Sequence, residues 1–224
     1  LSQGPWRATF TGYDAEYKVK GTHPMGGALS MLWHSQAGAI FAATMNRYQL
    51  IEAPNMQSNT RKYLMGGTPR IEMVANGVAY SNLDDLDTDI KYHAGNESHS
   101  FTVNTHLVDI NQKTPPQGEV PITIYYTFSG QGIDISVNDC HDSAYLMLPI
   151  IASPEEEVQI TPQAVFIKKE RGVLGLQCES GRIEVAPTDA DGRIFNPVPG
   201  FSFVPLRIIP NDADKNIKVN LFFR

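Results

Sequence analysis

The chain has 224 residues, of which 42% are hydrophobic and 19% charged, and its formal net charge is -6. This length and apolar content suit one large domain with a substantial core. The acidic balance argues against binding to nucleic acid and to anionic membrane surfaces, because both require basic patches. No stretch approaches the ~20 apolar residues of a membrane-spanning helix.

The sequence begins at Leu1 without an initiating methionine or a signal peptide, which predicts a mature form or a fragment of a longer protein. Residues 1–224 are expected to form a single β-sandwich domain. Cys140 and Cys178 are too few for a zinc cluster or a disulfide framework, and they could form one bridge or stay as buried thiols. No metal and no cofactor is expected.

The first predicted elements lie in the stretch HPMGGALSMLWHSQAG, residues 23–38. Its glycine pair predicts a turn, and a strand is expected to follow over residues 28–34. Strand alternation would place Leu29, Met31 and Trp33 on one face of that strand. We expect this face to lie in the core.

Strand alternation is absent from residues 46–68, the longest such stretch in the chain. A loop of more than ~12–15 residues in a compact domain is usually functional or disordered. Alternation returns at Phe101 and Val103. It is strongest in residues 122–128 and 133–137, where a glycine-rich connection between the two runs predicts a β-hairpin.

Four further strands are predicted towards the end of the chain, at residues 165–167, 173–176, 182–185 and 217–223. Residues 153–157 resemble a capped helix start, and we allow one helical turn there. No longer stretch has a convincing helical period. The sequence therefore predicts an all-β fold: a large antiparallel β-sandwich of the super-sandwich type, with a dozen or more strands and little helix.

Three residues of the first predicted strand region are candidates for a site. Trp33 could stack on the apolar face of a sugar ring, with His34 bonding to neighbouring hydroxyl groups. The alternative that we favour places Trp33 in the core. His23 precedes a proline and the glycine turn, and it is a candidate catalytic residue. Neither histidine belongs to an HExxH or HxH motif, so no metal site is predicted.

A second candidate region is the polar stretch over residues 46–63. Arg47, Asn55 and Arg61 are predicted to bind substrate, because amides bond to sugar hydroxyls and a guanidinium group can hold a uronate carboxylate through two hydrogen bonds. A solvated polar loop is the alternative. No spacing of acids singles out a glycosidase pair, and no GxSxG motif indicates a hydrolase triad.

Residues 22–48 resemble the start of the C-terminal β-sandwich in heparinase II/III-like polysaccharide lyases. The resemblance rests on the turn THPMGG, the apolar strand ALSMLWH, a glycine turn and the apolar strand AIFAA. The family usually has an acidic residue where this chain has Gly26-Gly27, which argues against a catalytic role for His23. The family also places its main catalytic groups partly on a preceding α-helical toroid, so the resemblance implies an upstream helical domain.

We therefore expect a carbohydrate-associated sandwich domain of a secreted or periplasmic polysaccharide-degrading enzyme that is lyase-like. Its ligand would be a polysaccharide or oligosaccharide, with acidic polymers among the options, and the chain would be catalytically incomplete alone. Three alternatives stay open at this point. These are a stand-alone carbohydrate-binding module, a mutarotase- or epimerase-like enzyme, and a structural interaction domain.

Overall fold

The computed structural model describes residues 1–12, 25–44, 66–188, 192–196 and 199–224. These residues form eighteen β-strands and a single-turn 3-10 helix at Asn82–Asp84. The strands in chain order are β1 (Ser2–Gln3), β2 (Trp6–Thr11), β3 (Ala28–His34), β4 (Gly38–Ala42), β5 (Arg70–Ala75), β6 (Val78–Ser81), β7 (Asp89–Ala94), β8 (Ser98–His106), β9 (Pro121–Ser129), β10 (Gly132–Val137), β11 (Ala144–Ile151), β12 (Val158–Ile160), β13 (Ala164–Lys169), β14 (Gly172–Ser180), β15 (Arg182–Val185), β16 (Ile194–Asn196), β17 (Phe201–Ile209) and β18 (Ile217–Phe223).

The strands form three antiparallel sheets. A four-stranded sheet has the order β1-β2-β3-β4, and an eight-stranded sheet has the order β12-β13-β14-β18-β10-β9-β8-β7. A third sheet has the order β15-β17-β11-β5-β6, and β16 also pairs with β17. The prediction of a large antiparallel sandwich with little helix is confirmed.

The eight-stranded sheet follows the predicted period of two. On β9 the side chains of Ile122, Ile124 and Phe128 are buried, whereas Thr123 and Thr127 between them are not. Strand β10 pairs with β9 over the predicted hairpin and alternates in the same way. One face of this sheet is therefore apolar and packed, and the opposite face meets solvent.

One continuous hydrophobic cluster joins the three sheets. It receives buried side chains from the inner face of the eight-stranded sheet and from both smaller sheets, so the large sheet forms one layer and the smaller sheets cover it. Representative members are Leu32 and Phe41 in the four-stranded sheet, Ile124 and Phe128 in the eight-stranded sheet, and Leu146 and Leu206 in the six-stranded sheet.

Strand β3 differs from the prediction. Leu29 is buried as expected, but Met31 is 46% exposed and Trp33 is 37% exposed, while Leu32 is buried. The cause is a β-bulge, since Thr9 of β2 pairs with Met31 and the next residue pairs with Leu29. The skipped residue reverses the alternation, so the predicted core face was wrong for Met31 and Trp33.

Two smaller predictions also have outcomes. At residues 153–157 the chain forms a turn in which the Glu156 N–H donates to the Ser153 carbonyl at 3.1 Å, and no helical turn is present there. Cys140 and Cys178 are buried free thiols rather than a bridge. None of the helices in the described residues could span a membrane.

The entrance to β3 depends on glycine. Gly27 has a φ of +72°, and a Cβ atom there would lie 2.1 Å from Cγ1 of Val103 on β8. Gly38, at the β3–β4 turn, has a φ of +75°. A Cβ atom on Gly38 would have no neighbouring atom within 4 Å. The first turn therefore needs glycine for both its backbone conformation and its close approach to the large sheet.

These two glycines form a matched pair for mutation. Gly38→Ala should cost about 1–2 kcal/mol, the strain of a left-handed backbone. Gly27→Ala should cost a further ~1–3 kcal/mol, because its methyl group overpacks against Val103. Urea unfolding of both variants measures the difference. Equal losses would contradict the close packing, and adding Val103→Ala should recover part of the Gly27→Ala loss.

Candidate functional site

An open cleft of about 700 Å³ lies at one end of the sandwich. Its walls come from the β1–β2 turn, the β3–β4 turn, the β9–β10 turn and the end of β18. Side chains on the outer face of the eight-stranded sheet extend the same surface, so the cleft combines turns from two sheets with the solvent-facing side of the largest one.

Three rings in mutually tilted contact form the apolar side of the cleft. The His34 ring centroid lies 4.5 Å from that of Trp6 and 4.7 Å from that of Phe223. The His34 Nδ1 accepts hydrogen bonds from the Gln36 and Ala37 N–H groups, each at 3.3 Å. Burial lowers the pKa of His34, so the ring is neutral at pH 7. His34 therefore stabilises a turn and lines the cleft as an uncharged ring.

Neighbouring strands supply the polar side. Asp134 of β10, Asn220 of β18 and Gln177 of β14 lie side by side in register. The Asn220 amide nitrogen donates to Asp134 Oδ1 at 2.8 Å. Within the described residues the Gln177 amide makes no side-chain hydrogen bond, and it is exposed. Amide and carboxylate groups in such a row can bond to several hydroxyl groups at once.

An aromatic ring and a cation complete the cleft. A Cβ on Gly175 would lie 2.3 Å from Cζ of Phe222, so glycine allows the Phe222 ring to lie over the sheet. Cζ of Arg224 stands 4.6 Å from the centroid of that ring. No carboxylate among the described residues pairs with Arg224. Its guanidinium group is available to an anionic ligand.

The side chains that line the cleft are suited to noncovalent contacts. The partly exposed rings of Phe222 and Phe223 offer apolar surface, the amides offer hydrogen bonds to hydroxyl groups, and Arg224 offers a positive charge. His34 is held neutral with one nitrogen already bonded, and Asp134 is bonded to Asn220. Within the described residues no cluster of three or more His, Cys, Asp or Glu side chains could hold a metal ion.

The structure places two of the sequence-predicted site residues. His34 lines the cleft, and Trp33 lies on the outer face of the four-stranded sheet, where its side chain is partly exposed. The predictions for His23, Arg47, Asn55 and Arg61 lie outside the described residues.

Sequence reasoning missed the polar side of the cleft. Asp134, Gln177 and Asn220 are solvent-facing positions of alternating strands, and many strand residues share that pattern. The only available signal was their polarity within apolar runs. Their assembly depends on the pairing of β18 between β10 and β14, which local sequence does not report.

A second polar cluster, on the six-stranded sheet, has a structural role. Glu72 accepts hydrogen bonds from Arg70 Nε and from the Tyr145 hydroxyl group, both at 2.5 Å. Burial acts to raise the pKa of Glu72, but the Arg70 charge and the Tyr145 bond outweigh it and lower the pKa overall. Arg70 also donates to the carbonyl groups of Gly66 and Thr68, at 2.9 and 3.1 Å. The cluster ties the loop before β5 to the sheet.

Within the described residues, the all-β sandwich carries a cleft lined by aromatic rings, amide groups and an arginine that pairs with no described carboxylate. This combination suits a carbohydrate-associated domain. A family model described as the ulvan lyase C-terminal domain matches residues 1–224, and the chain belongs to that family. The expected connection to polysaccharide lyases is thereby confirmed.

The chain is also similar to a curated enzyme, the broad-specificity ulvan lyase of Formosa agariphila. The two are 28% identical over 215 residues, a match that covers 93% of this chain and 33% of the relative. The chain thus spans about a third of the length of the curated relative that it matches.

The Glu72 cluster predicts an acid-sensitive contribution to stability. Because the pKa of Glu72 is lower in the folded state than its ordinary value of 4.5, its contribution is complete above that pH and is lost as the pH falls through the folded pKa. Glu72→Gln should lower the free energy of unfolding at pH 7 and flatten its decline below about pH 4.5.

Chemical unfolding across a pH series measures both effects. Glu184→Gln is the control, since Glu184 belongs to an ion pair with Arg182 in which both side chains are about half exposed. Such exposed pairs contribute little to stability. Identical pH profiles for the Glu72→Gln variant and the native chain would contradict the role assigned to the cluster.

Proposed function

We propose that this chain is the polysaccharide-binding C-terminal domain of a secreted lyase, and that its cleft holds part of an acidic polysaccharide such as ulvan. One observation carries this proposal: Arg224 and Phe222 stand beside the row of Asp134, Asn220 and Gln177. A cation, a stacking surface and hydroxyl-binding groups are thus within one cleft. Membership of an ulvan lyase domain family supports the substrate class.

We assign catalysis to the longer parent polypeptide and not to this chain alone. The neutral His34 ring and the bonded Asp134 suit binding better than proton transfer. In the finer proposal that the parent is heparinase II/III-like, an upstream helical domain supplies the main catalytic groups. From this domain, His23 is then proposed as a candidate catalytic residue, and Arg47, Asn55 and Arg61 are proposed to bind substrate.

The proposed location is outside the cytoplasm. A polymer large enough to need endolytic cleavage does not enter a cell, so a lyase that acts on it must be secreted or periplasmic. This part of the proposal follows from the substrate class, which is itself proposed from the family.

Trp33 gives a second candidate platform. Its indole is 37% exposed on the outer face of the four-stranded sheet, beside the exposed Met31. An exposed indole ring can stack on a sugar, which is the less favoured of the two roles that the sequence left open for this residue. If sugars bind at this face, the chain acts as a carbohydrate-binding module whose site is separate from the cleft.

Binding by the cleft can be measured with ulvan and the 224-residue chain by calorimetry. Phe222→Ala and Arg224→Gln should each weaken binding about three- to tenfold, the loss expected for one stacking or charge-assisted contact. The effect of Arg224→Gln should shrink at high salt, because salt screens exposed charges.

Arg182→Gln is the matched control, because it also removes one exposed positive charge from a strand. It should leave ulvan affinity unchanged. Loss of binding in Trp33→Ala, with normal binding in Phe222→Ala, would move the site to the four-stranded sheet. Absence of ulvan binding by the native chain would overturn the proposed function.

The proposal also predicts the activity of the isolated chain. Mixed with ulvan, the 224-residue chain should produce no ultraviolet absorbance from an unsaturated product, because the catalytic groups are assigned elsewhere. The intact parent lyase should produce it under the same conditions. Product formation by the isolated chain would show that this domain carries a complete catalytic site.

A further inference from the structure

We propose that the polysaccharide site continues beyond the cleft, across the outer face of the eight-stranded sheet, and that the polymer runs perpendicular to the strands. This inference rests on the proposed function and adds the direction and extent of the bound chain. Its basis is a row of polar side chains that starts at the cleft and crosses the sheet, defined here as the polar row.

The polar row is set by strand register. Asn220 pairs with Gln177 on one side and with Asp134 on the other. Asp134 pairs with Thr127, which pairs with Ser100, which in turn pairs with His93. From the cleft outwards the six members, on β14, β18, β10, β9, β8 and β7, are Gln177, Asn220, Asp134, Thr127, Ser100 and His93.

Every member of the polar row is accessible. Gln177 and His93 are exposed, and the four members between them are half-buried, as expected for the centre of a solvent-facing sheet. The hydroxyl groups of Thr127 and Ser100 make no side-chain hydrogen bonds within the described residues. These groups can donate to and accept from a ligand without breaking a bond in the protein.

The spacing suits a sugar polymer. Neighbouring strands lie ~4.8 Å apart, whereas outward side chains along one strand recur only every ~6.8 Å. The closest regular series of polar groups therefore runs across the strands, and six strands give it a length of about 24 Å. Successive sugars of an extended polymer that lies along this series can therefore meet successive polar side chains.

The charges beside the polar row indicate at which end of the row an acidic sugar binds. The Asp134 carboxylate is bonded to Asn220. Lys218 pairs with Glu179 at 2.6 Å, and this pairing, with a smaller contribution from the Asp134 charge, raises the pKa of Lys218. The negative charge of the row is thus partly balanced. Arg224 remains unpaired with any described carboxylate and stands at the cleft end. An acidic sugar is expected to bind there, with further sugars extending towards β7.

Affinity for ulvan oligosaccharides of increasing length tests this inference. The native 224-residue chain should bind a hexasaccharide more tightly than a tetrasaccharide, and a tetrasaccharide more tightly than a disaccharide. The Thr127→Ala/Ser100→Ala double variant removes two hydroxyl groups of the polar row that lie outside the cleft. It should weaken hexasaccharide binding about three- to tenfold, the loss expected for one or two hydrogen bonds, and leave disaccharide binding unchanged.

Thr9→Ala is the matched control, because it deletes an exposed strand hydroxyl group from the four-stranded sheet. It should bind every oligosaccharide as the native chain does. Affinity that stops increasing at the disaccharide, or a double variant with native hexasaccharide affinity, would overturn the extended site while leaving cleft binding intact. No binding of any oligosaccharide would instead refute the proposed function.

Discussion

The packing of one face of the eight-stranded sheet is the constraint on which the rest of the molecule depends. Ile124, Phe128 and Ile135 are fully buried in the cluster that all three sheets share. Slipping any of these strands by one residue would turn its apolar side chains to water and its polar ones into the core. The core therefore fixes the register of the large sheet, and the register then fixes which side chains face solvent together.

Sequence alone predicted the parts of the fold that local alternation controls. The β9–β10 hairpin and β18 were predicted because each alternates with a period of two. Strand β3 was assigned the wrong core face because a bulge opposite Thr9 reverses its alternation midway. A bulge is a property of two paired strands, and the sequence of one strand does not contain it.

The candidate site shows the same division between local and long-range information. His34 was predicted as a site residue from its own strand, and it lines the cleft. Asp134 and Asn220 were not predicted, although they share a hydrogen bond, because 86 positions separate them in sequence. The ring of Phe222 depends in turn on Gly175, a glycine on a neighbouring strand. Such neighbours become known only when the strand order is known.

The alternation of side chains along each strand produces both faces of the large sheet, and the two faces meet different physical requirements. The inner face requires side chains that fill space, and its burial stabilises the fold. The outer face requires only residues that tolerate water, so side chains such as Asn220 and Thr127 can bind a ligand without affecting the packing of the core. A polar row on a rigid sheet is also preorganised, because binding need not order its backbone. The same register that stabilises the domain can therefore set the spacing of a polysaccharide site.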